Sequence, residues 1–245
     1  MSSSCWDGWI NYFKNIGYSC IAPCWPYKDA TPEELRNRHP DPEIASNRLS
    51  DIIDYYELIV NTLNEKPILI GHSFGGLIVQ LMLQRGLGSA GIALHSFPSQ
   101  GVGIFRFSFF KAWWNAIGFF TTERETYMVS FEKWKNAISN GLKGDEQKQS
   151  YYNYAIPESK LIIRDAFKST GKINFTKSHS PLLFTSGGED KMISPALIYD
   201  NYKKYTDENS ITDYAEFKNC NHLVFCAPVS TELAEFILKW LAKIG

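Results

Sequence analysis

The sequence predicts an α/β protein built on a mainly parallel sheet with helices on both faces. Two observations carry that prediction. Short unbroken apolar runs alternate with amphipathic helical faces along the chain, and the stretch "ILIGHSFGG", Ile68 to Gly76, passes from such a run straight into a helix-like segment. Unbroken apolar runs mark strands buried on both faces, and helices between them supply the crossovers that parallel strands need. With 245 residues, 44% apolar and 15% aromatic, the chain can fill the core of one large domain.

The chain opens on a helix. Trp6, Trp9, Ile10 and Phe13 fall on one face at helical spacing, with Ser4 as N-cap and Gly17 as the stop. Tyr18 to Pro23 is expected as the first strand. Ile52, Ile53, Tyr56, Ile59, Val60 and Leu63 mark a second helix that ends before Pro67, and Leu77 to Leu83 continue the helix that follows "GHSFGG". Strands are expected at Pro67 to His72, Gly91 to His95 and Pro181 to Ser186, and "DYAEFKNC", Asp213 to Cys220, alternates as a further one. Leu233, Phe236, Ile237, Trp240 and Leu241 mark a closing helix. Residues 97–176 carry helical patterns without a strand, too long for a plain connection, so they are expected as a helical insertion between two core segments, 1–96 and 177–245.

Composition excludes several function classes. A formal net charge of -1, without a basic stripe, gives phosphates nothing to bind, so no nucleic acid partner is expected. Five cysteines cannot all pair and match no zinc spacing; reduced thiols and a cytoplasmic location are expected. The N-terminus lacks a signal-peptide pattern, and no apolar run reaches the ~18 residues of a membrane span. The most apolar region, "IFRFSFFKAWWNAIGFF", is broken by Arg106, Lys111 and Asn115.

Gly71-His72-Ser73-Phe74-Gly75 reads GxSxG, which puts a serine on a sharp strand-to-helix turn. A serine hydroxyl is a weak nucleophile, so a working site needs a base and a third group to orient it. Asp190 follows the strand "LLFTSG" and His222 follows the last strand, so Ser73, Asp190 and His222 each leave the C-terminal end of a different strand, where open parallel sheets bind ligands. Each has a plainer reading: Ser73 as a small turn residue, Asp190 as a helix cap with Glu189 as its rival, and His222 as a surface histidine. His39, His72, His95 and His179 suit the base role less well. His72 flanks the serine and is read as structural, pointing back into the sheet, while His179 precedes its strand.

On "GHSFGG", "SGGEDKMISP", "NCNHL" and the opening "SSSCWDGWINYFKNIGYSCIAPCWP", the sequence resembles the α/β-hydrolase fold family over essentially its whole length. The resemblance implies Ser73 as nucleophile, His222 as general base and acid, Asp190 as the orienting carboxylate, and the Phe74 backbone N–H in the oxyanion hole. Some relatives carry the acid after the preceding strand, but "ALHSFPS" offers no carboxylate there. Dehalogenases and epoxide hydrolases of this fold use aspartate as nucleophile, so Ser73 points to acyl chemistry on a small apolar ester or thioester. Amide, lactone or carbon–carbon cleavage ranks behind, and no metal or organic cofactor is needed. The insertion at 97–176 would be a lid, with aromatics such as Phe105, Phe109, Trp113 and Trp114 either packing it down or lining an apolar pocket.

The resemblance also exposes a departure. The family pattern has two or three strands before the first helix, the last ending in a His-Gly loop that gives the second oxyanion donor. Here Met1 stands just after that point. The missing strand would lie between residues 18–23 and 67–72, leaving two unpaired rows unless those segments close up. A truncated form of a longer enzyme is expected, or an N–H among Met1 to Ser4 as substitute donor. A ligand-binding protein with impaired turnover and a lyase on the same scaffold are the competing functions.

Overall fold

The computed structural model describes residues 1–103, 122, 125–226 and 228–245. The start of the chain is helical as expected, with one extra turn. Ser2 caps a 3-10 turn, Ser3–Trp6, by accepting from the Ser4 N–H, and α1 (Asp7–Asn15) follows, burying Trp9 and Phe13. The cap is therefore Ser2 rather than Ser4. Gly17 ends the helix with φ 97°, a conformation that favours glycine.

Residues 18–23 form no strand, contrary to expectation, and join no ladder. Their apolar content matches a strand, but a strand exists only where a neighbour supplies hydrogen bonds, and Ile21 is 63% exposed. Two short helices absent from the sequence reading come next. α2 (Pro32–Asn37) starts on a reciprocal Thr31–Glu34 capping box, and α3 (Pro42–Ser46) starts on the Asp41 carboxylate. α4 (Leu49–Val60) is the expected amphipathic helix, burying Leu49, Ile52 and Ile53.

β1 (Ile68–His72) leads into α5 (Phe74–Gln84) and then β2 (Ala90–Leu94). The middle of the chain is mainly helical but not strandless: β3 (Thr126–Tyr127) pairs antiparallel with β4 (Glu158–Ser159). Between them lie a helical turn at Phe131–Lys133, a π turn at Trp134–Ile138 and α6 (Gly144–Tyr154); α7 (Lys160–Ala166) follows β4. The chain closes with β5 (Leu182–Gly187), α8 (Pro195–Tyr202), β6 (Thr212–Phe217) and α9 (Val229–Ile244).

The main sheet is parallel throughout, in the order β1-β2-β5-β6, with Ile70 opposite Ile92, Ile92 opposite Leu183 and Leu183 opposite Asp213. Among the described residues no strand pairs with the other edge of β1, so β1 and residues 18–23 do not close up. Ile92, Leu94 and Phe184 are fully buried at the sheet's centre, and Leu77, Ile78, Leu81 and Met82 of α5 cover it. Trp134, Ile162, Ile163 and Ile173 join the same apolar cluster, so the middle of the chain packs into the core of the sheet. Glu158 adds an ionic clasp, taking the Met1 ammonium at 2.7 Å and the buried Lys28 ammonium. All five cysteines are free. No helix among the described residues is long and apolar enough to cross a membrane.

Candidate active site

β1 ends at His72 and α5 begins at Phe74, so Ser73 alone makes the reversal, at φ 55° and ψ -116°. Non-glycine residues rarely adopt such angles, and holding one there costs on the order of 1–3 kcal/mol. The flanking glycines make the turn possible. A Cβ on Gly71 would stand 2.1 Å from the Gly75 carbonyl oxygen, and one on Gly76 would stand 2.7 Å from the Ser96 Cβ, whereas one on Gly75 would meet nothing within 4 Å. Backbone bonds then fix the turn: the Ser73 N–H donates to Leu94 at 3.0 Å, and the Phe97 N–H donates to the Ser73 carbonyl at 2.8 Å.

Three positions past the end of β5, Asp190 uses both carboxylate oxygens. Oδ1 accepts the Met192 and Ile193 N–H groups, each at 2.8 Å. Oδ2 lies 2.7 Å from His222 Nδ1. One oxygen thus braces the loop and the other meets His222; Asp190 caps no helix, since α8 begins at Pro195 behind Ser194. Burial alone would raise the pKa of Asp190, but the adjoining His222 and His95 rings outweigh it and hold the carboxyl well below the usual carboxylate range. Glu189, the rival, is exposed.

His222 is buried, not a surface histidine. Its loop is braced by Asn221, whose Oδ1 accepts the Leu223 N–H at 2.8 Å and whose Nδ2 donates to Asn140 at 2.7 Å. His72 Nε2 donates to the His222 carbonyl at 2.8 Å, so His72 is structural, yet it faces the site's rear wall rather than the sheet. His95, set aside in the sequence reading, lies with Nδ1 3.2 Å from the same Asp190 Oδ2. Burial, then the neighbouring histidines, push His72 well below its ordinary value; burial also lowers His95 despite Asp190, so both rings are neutral near pH 7. His39 and His179 are engaged elsewhere, with Thr126 and the Ser180 carbonyl.

Among the described residues, His72, His95 and His222 form the one group with metal-ligand character, their nitrogens lying within 4.8 Å of one another. Nitrogens of all three already face Asp190 or a carbonyl. The Phe74 ring stacks on Phe97 at 4.1 Å, and its backbone opens α5, at the positive end of the helix. Trp113, Trp114, Phe105 and Phe109 lie outside the described residues. Of the opening N–H groups, that of Ser2 donates to Tyr154 at 2.9 Å and that of Ser4 to Ser2 Oγ at 3.3 Å, so neither is available as a substitute oxyanion donor.

A parallel sheet with a serine on its strand-to-helix turn and a buried Asp–His pair beyond neighbouring strands defines an enzyme of the α/β-hydrolase type. The model of the alpha/beta hydrolase family matches residues 1–229, and the chain belongs to that family. Solved structures share the fold at low identity. The chain is similar to the methylesterase protein MES16 from Arabidopsis (12% identity, 98% of this chain and 94% of that one, TM-score 0.68). It is also similar to a monoacylglycerol lipase from Paleococcus ferrophilus (18%, 100% and 91%, TM-score 0.68) and to tomato methylketone synthase I complexed with 2-tridecanone (14%, 100% and 95%, TM-score 0.69). No curated protein matches the chain at a significant level.

Proposed function

We propose that the protein is a carboxylesterase-like serine hydrolase that cleaves a small apolar ester, thioester or related acyl compound through an acyl-enzyme on Ser73. The observation that carries this reading is the buried 2.7 Å contact between Asp190 Oδ2 and His222 Nδ1, which commits Nδ1 to the carboxylate and leaves Nε2 for proton transfer. Ser73 Oγ attacks the acyl carbon while its proton passes to His222 Nε2. The oxyanion faces the Phe74 N–H at the start of α5. Collapse expels the alcohol or thiol, which takes the proton from His222, and water then releases the acid by the same two steps in reverse roles. Residues 97–176 act as a lid between core segments 1–96 and 177–245; Trp113 and Trp114, the sequence's candidates for contact with substrate, lie outside the described residues. The esterase and lipase relatives, and the methylketone synthase complexed with the apolar 2-tridecanone, support an apolar acyl substrate. Five free thiols suit a reducing compartment, the cytoplasm.

A second reading, a ligand-binding protein with impaired turnover, draws on the engaged N–H groups of Ser2 and Ser4. Mass-spectrometric labelling with a fluorophosphonate separates the two. Adduct confined to Ser73, and lost in Ser73→Ala and His222→Ala, supports the hydrolase. A folded wild-type chain that stays unlabelled overturns it.

A further inference from the structure

We propose that His95 is a positioning residue: its Nδ1–H shares the Asp190 oxygen that holds His222, and so sets the pH at which Ser73 is activated. The inference rests on the hydrolase reading above and deepens it.

The sheet order makes the contact. β2 lies between β1 and β5, so the residue that leaves the end of β2 stands between the serine turn and the acid loop. His95 is that residue, fully buried, with its backbone at φ 44° in the left-handed region. Gly187 lies against the ring and the Cys220 backbone together: a Cβ there would stand 2.3 Å from the Cys220 carbonyl oxygen and 2.6 Å from His95 Cε1. A strained backbone at a fully buried position is more than packing a neutral ring requires.

The tautomer follows from the surroundings. A bare Nδ1 lone pair 3.2 Å from a carboxylate oxygen would be repelled, so Nδ1 carries the proton, and Nε2 faces the Cys220 thiol at 3.8 Å. The N–H points off the line to Oδ2, so His95 makes no aligned hydrogen bond there and acts through its charge distribution, while His222 keeps the 2.7 Å bond. With Met192 and Ile193 on Oδ1, the carboxylate is surrounded by four N–H groups.

The other ionisable groups around His95 are few. The His72 and His222 ring centres are each 6.2 Å away. The Cys220 thiol, pushed up to about 12 by burial first and by Asp190 and then Glu232, stays uncharged across the range of interest. Among the described residues, Asp190 is thus the one anion beside the His95 ring. Taking part of its field away from His222 weakens the carboxylate's hold on a charged His222 ring. Removing His95 returns the whole field to His222.

The test is the pH profile of Ser73 labelling by a fluorophosphonate in the full chain, which needs no knowledge of the natural substrate. In His95→Phe the acid limb is expected to rise by about half to one pH unit, slowing labelling about 3- to 10-fold on that limb while the plateau changes less than about twofold. His95→Gln, which retains a side-chain N–H donor, is expected to bring the limb most of the way back. A purely structural role would lower the plateau or the melting temperature without moving the limb. An unmoved limb in folded His95→Phe overturns the proposal. An unlabelled wild type overturns the hydrolase reading and this one with it, a distinguishable failure. Should His95→Phe not fold, 15N-histidine NMR of the wild type decides: a proton on His95 Nδ1 supports the proposal, and a proton on Nε2 with bare Nδ1 overturns it.

Discussion

His72 Nε2 and the His222 carbonyl oxygen are joined by a 2.8 Å hydrogen bond that ties the end of β1 to the loop after β6. The donor that precedes the serine therefore positions the backbone of His222, the proposed base. His72→Leu leaves that buried carbonyl without its donor, and a loss of about 1–3 kcal/mol of stability is expected by urea unfolding. A His222 ring displaced by about 1 Å also slows fluorophosphonate labelling, by roughly 10- to 100-fold. His72→Gln, with an amide N–H in reach, should retain most of both.

Ser73 strains the turn that presents it, and the strain predicts a trade between activity and stability. Ser73→Gly relaxes φ 55° at no steric cost, so this variant should be more stable by about 1 kcal/mol while giving no labelling at all. Gly76→Ala works in the opposite sense. Its Cβ meets Ser96 Cβ at 2.7 Å and Cα at 2.9 Å, and the backbone there must move. A loss of about 1–3 kcal/mol is expected, with slower labelling. Equal melting temperatures for all three chains would contradict the strain argument.

Gln80 is the hub of a buried polar network behind the serine turn. Its Nε2 donates to Ser96 Oγ at 2.8 Å, and its Oε1 accepts from Asn201 at 2.8 Å and from Tyr205 at 3.1 Å. Asn201 in turn receives both the Ser99 N–H and hydroxyl on Oδ1. Gln80→Leu fills the space but strips partners from three polar side chains, and each buried group left unmatched costs about 1–3 kcal/mol. Thermal unfolding should show one of the largest losses of any single conservative change in α5. Gln80→Glu tests the same point, because the Ser96 contact then loses its N–H donor.

Stability should fall as the solution is acidified below neutrality. His72 and His95 titrate near 6.5 when unfolded and lower when folded, so below that pH the unfolded chain binds more protons than the folded one. Their contribution is complete above about pH 6.5 and is lost as pH falls toward the folded values, at up to about 1.4 kcal/mol per pH unit for each. Asp190 is depressed, so its contribution is complete above the unfolded carboxylate value of about 4 and is lost only at lower pH. Urea unfolding between pH 7.5 and 5 isolates the two histidines. His72→Gln should remove one group's share of the slope; an unchanged slope would contradict the assignment.

What the sequence revealed follows from what a linear pattern can carry. Three of the sheet strands were legible as short apolar runs, as in Ile68 to Ile70 and Leu182 to Phe184, and β6 was legible by its alternation. The same signal misled at residues 18–23, since an apolar run does not say whether a neighbouring strand exists. The turn at Ser73 and the loops that carry Asp190 and His222, the proposed triad, were legible from glycine spacing and from their places after strands. His95 was not, because its approach to Asp190 depends on the strand order, which puts β2 beside β5 although residues 95–181 separate them in the chain. A signal was present: "LHS" leaves β2 as "HSF" leaves β1, and Gly187 stands across from it. The β3–β4 pair escaped because two-residue strands have no periodicity to read.

The strand order has a metrological consequence. Four adjacent parallel strands stand about 4.8 Å apart, and Ser73, His95, Asp190 and His222 follow the ends of β1, β2, β5 and β6 in that order. The ladder is thus a ruler with one residue of the proposed site at each graduation, and its calibration is the register. A slip of one residue between any two rungs would carry a side chain to the opposite face. Tolerance to substitution should therefore be read not by distance from Ser73 but by whether a change can shift a rung: Ile92 and Phe184, far from any bond that breaks, hold the scale to which the whole site is set.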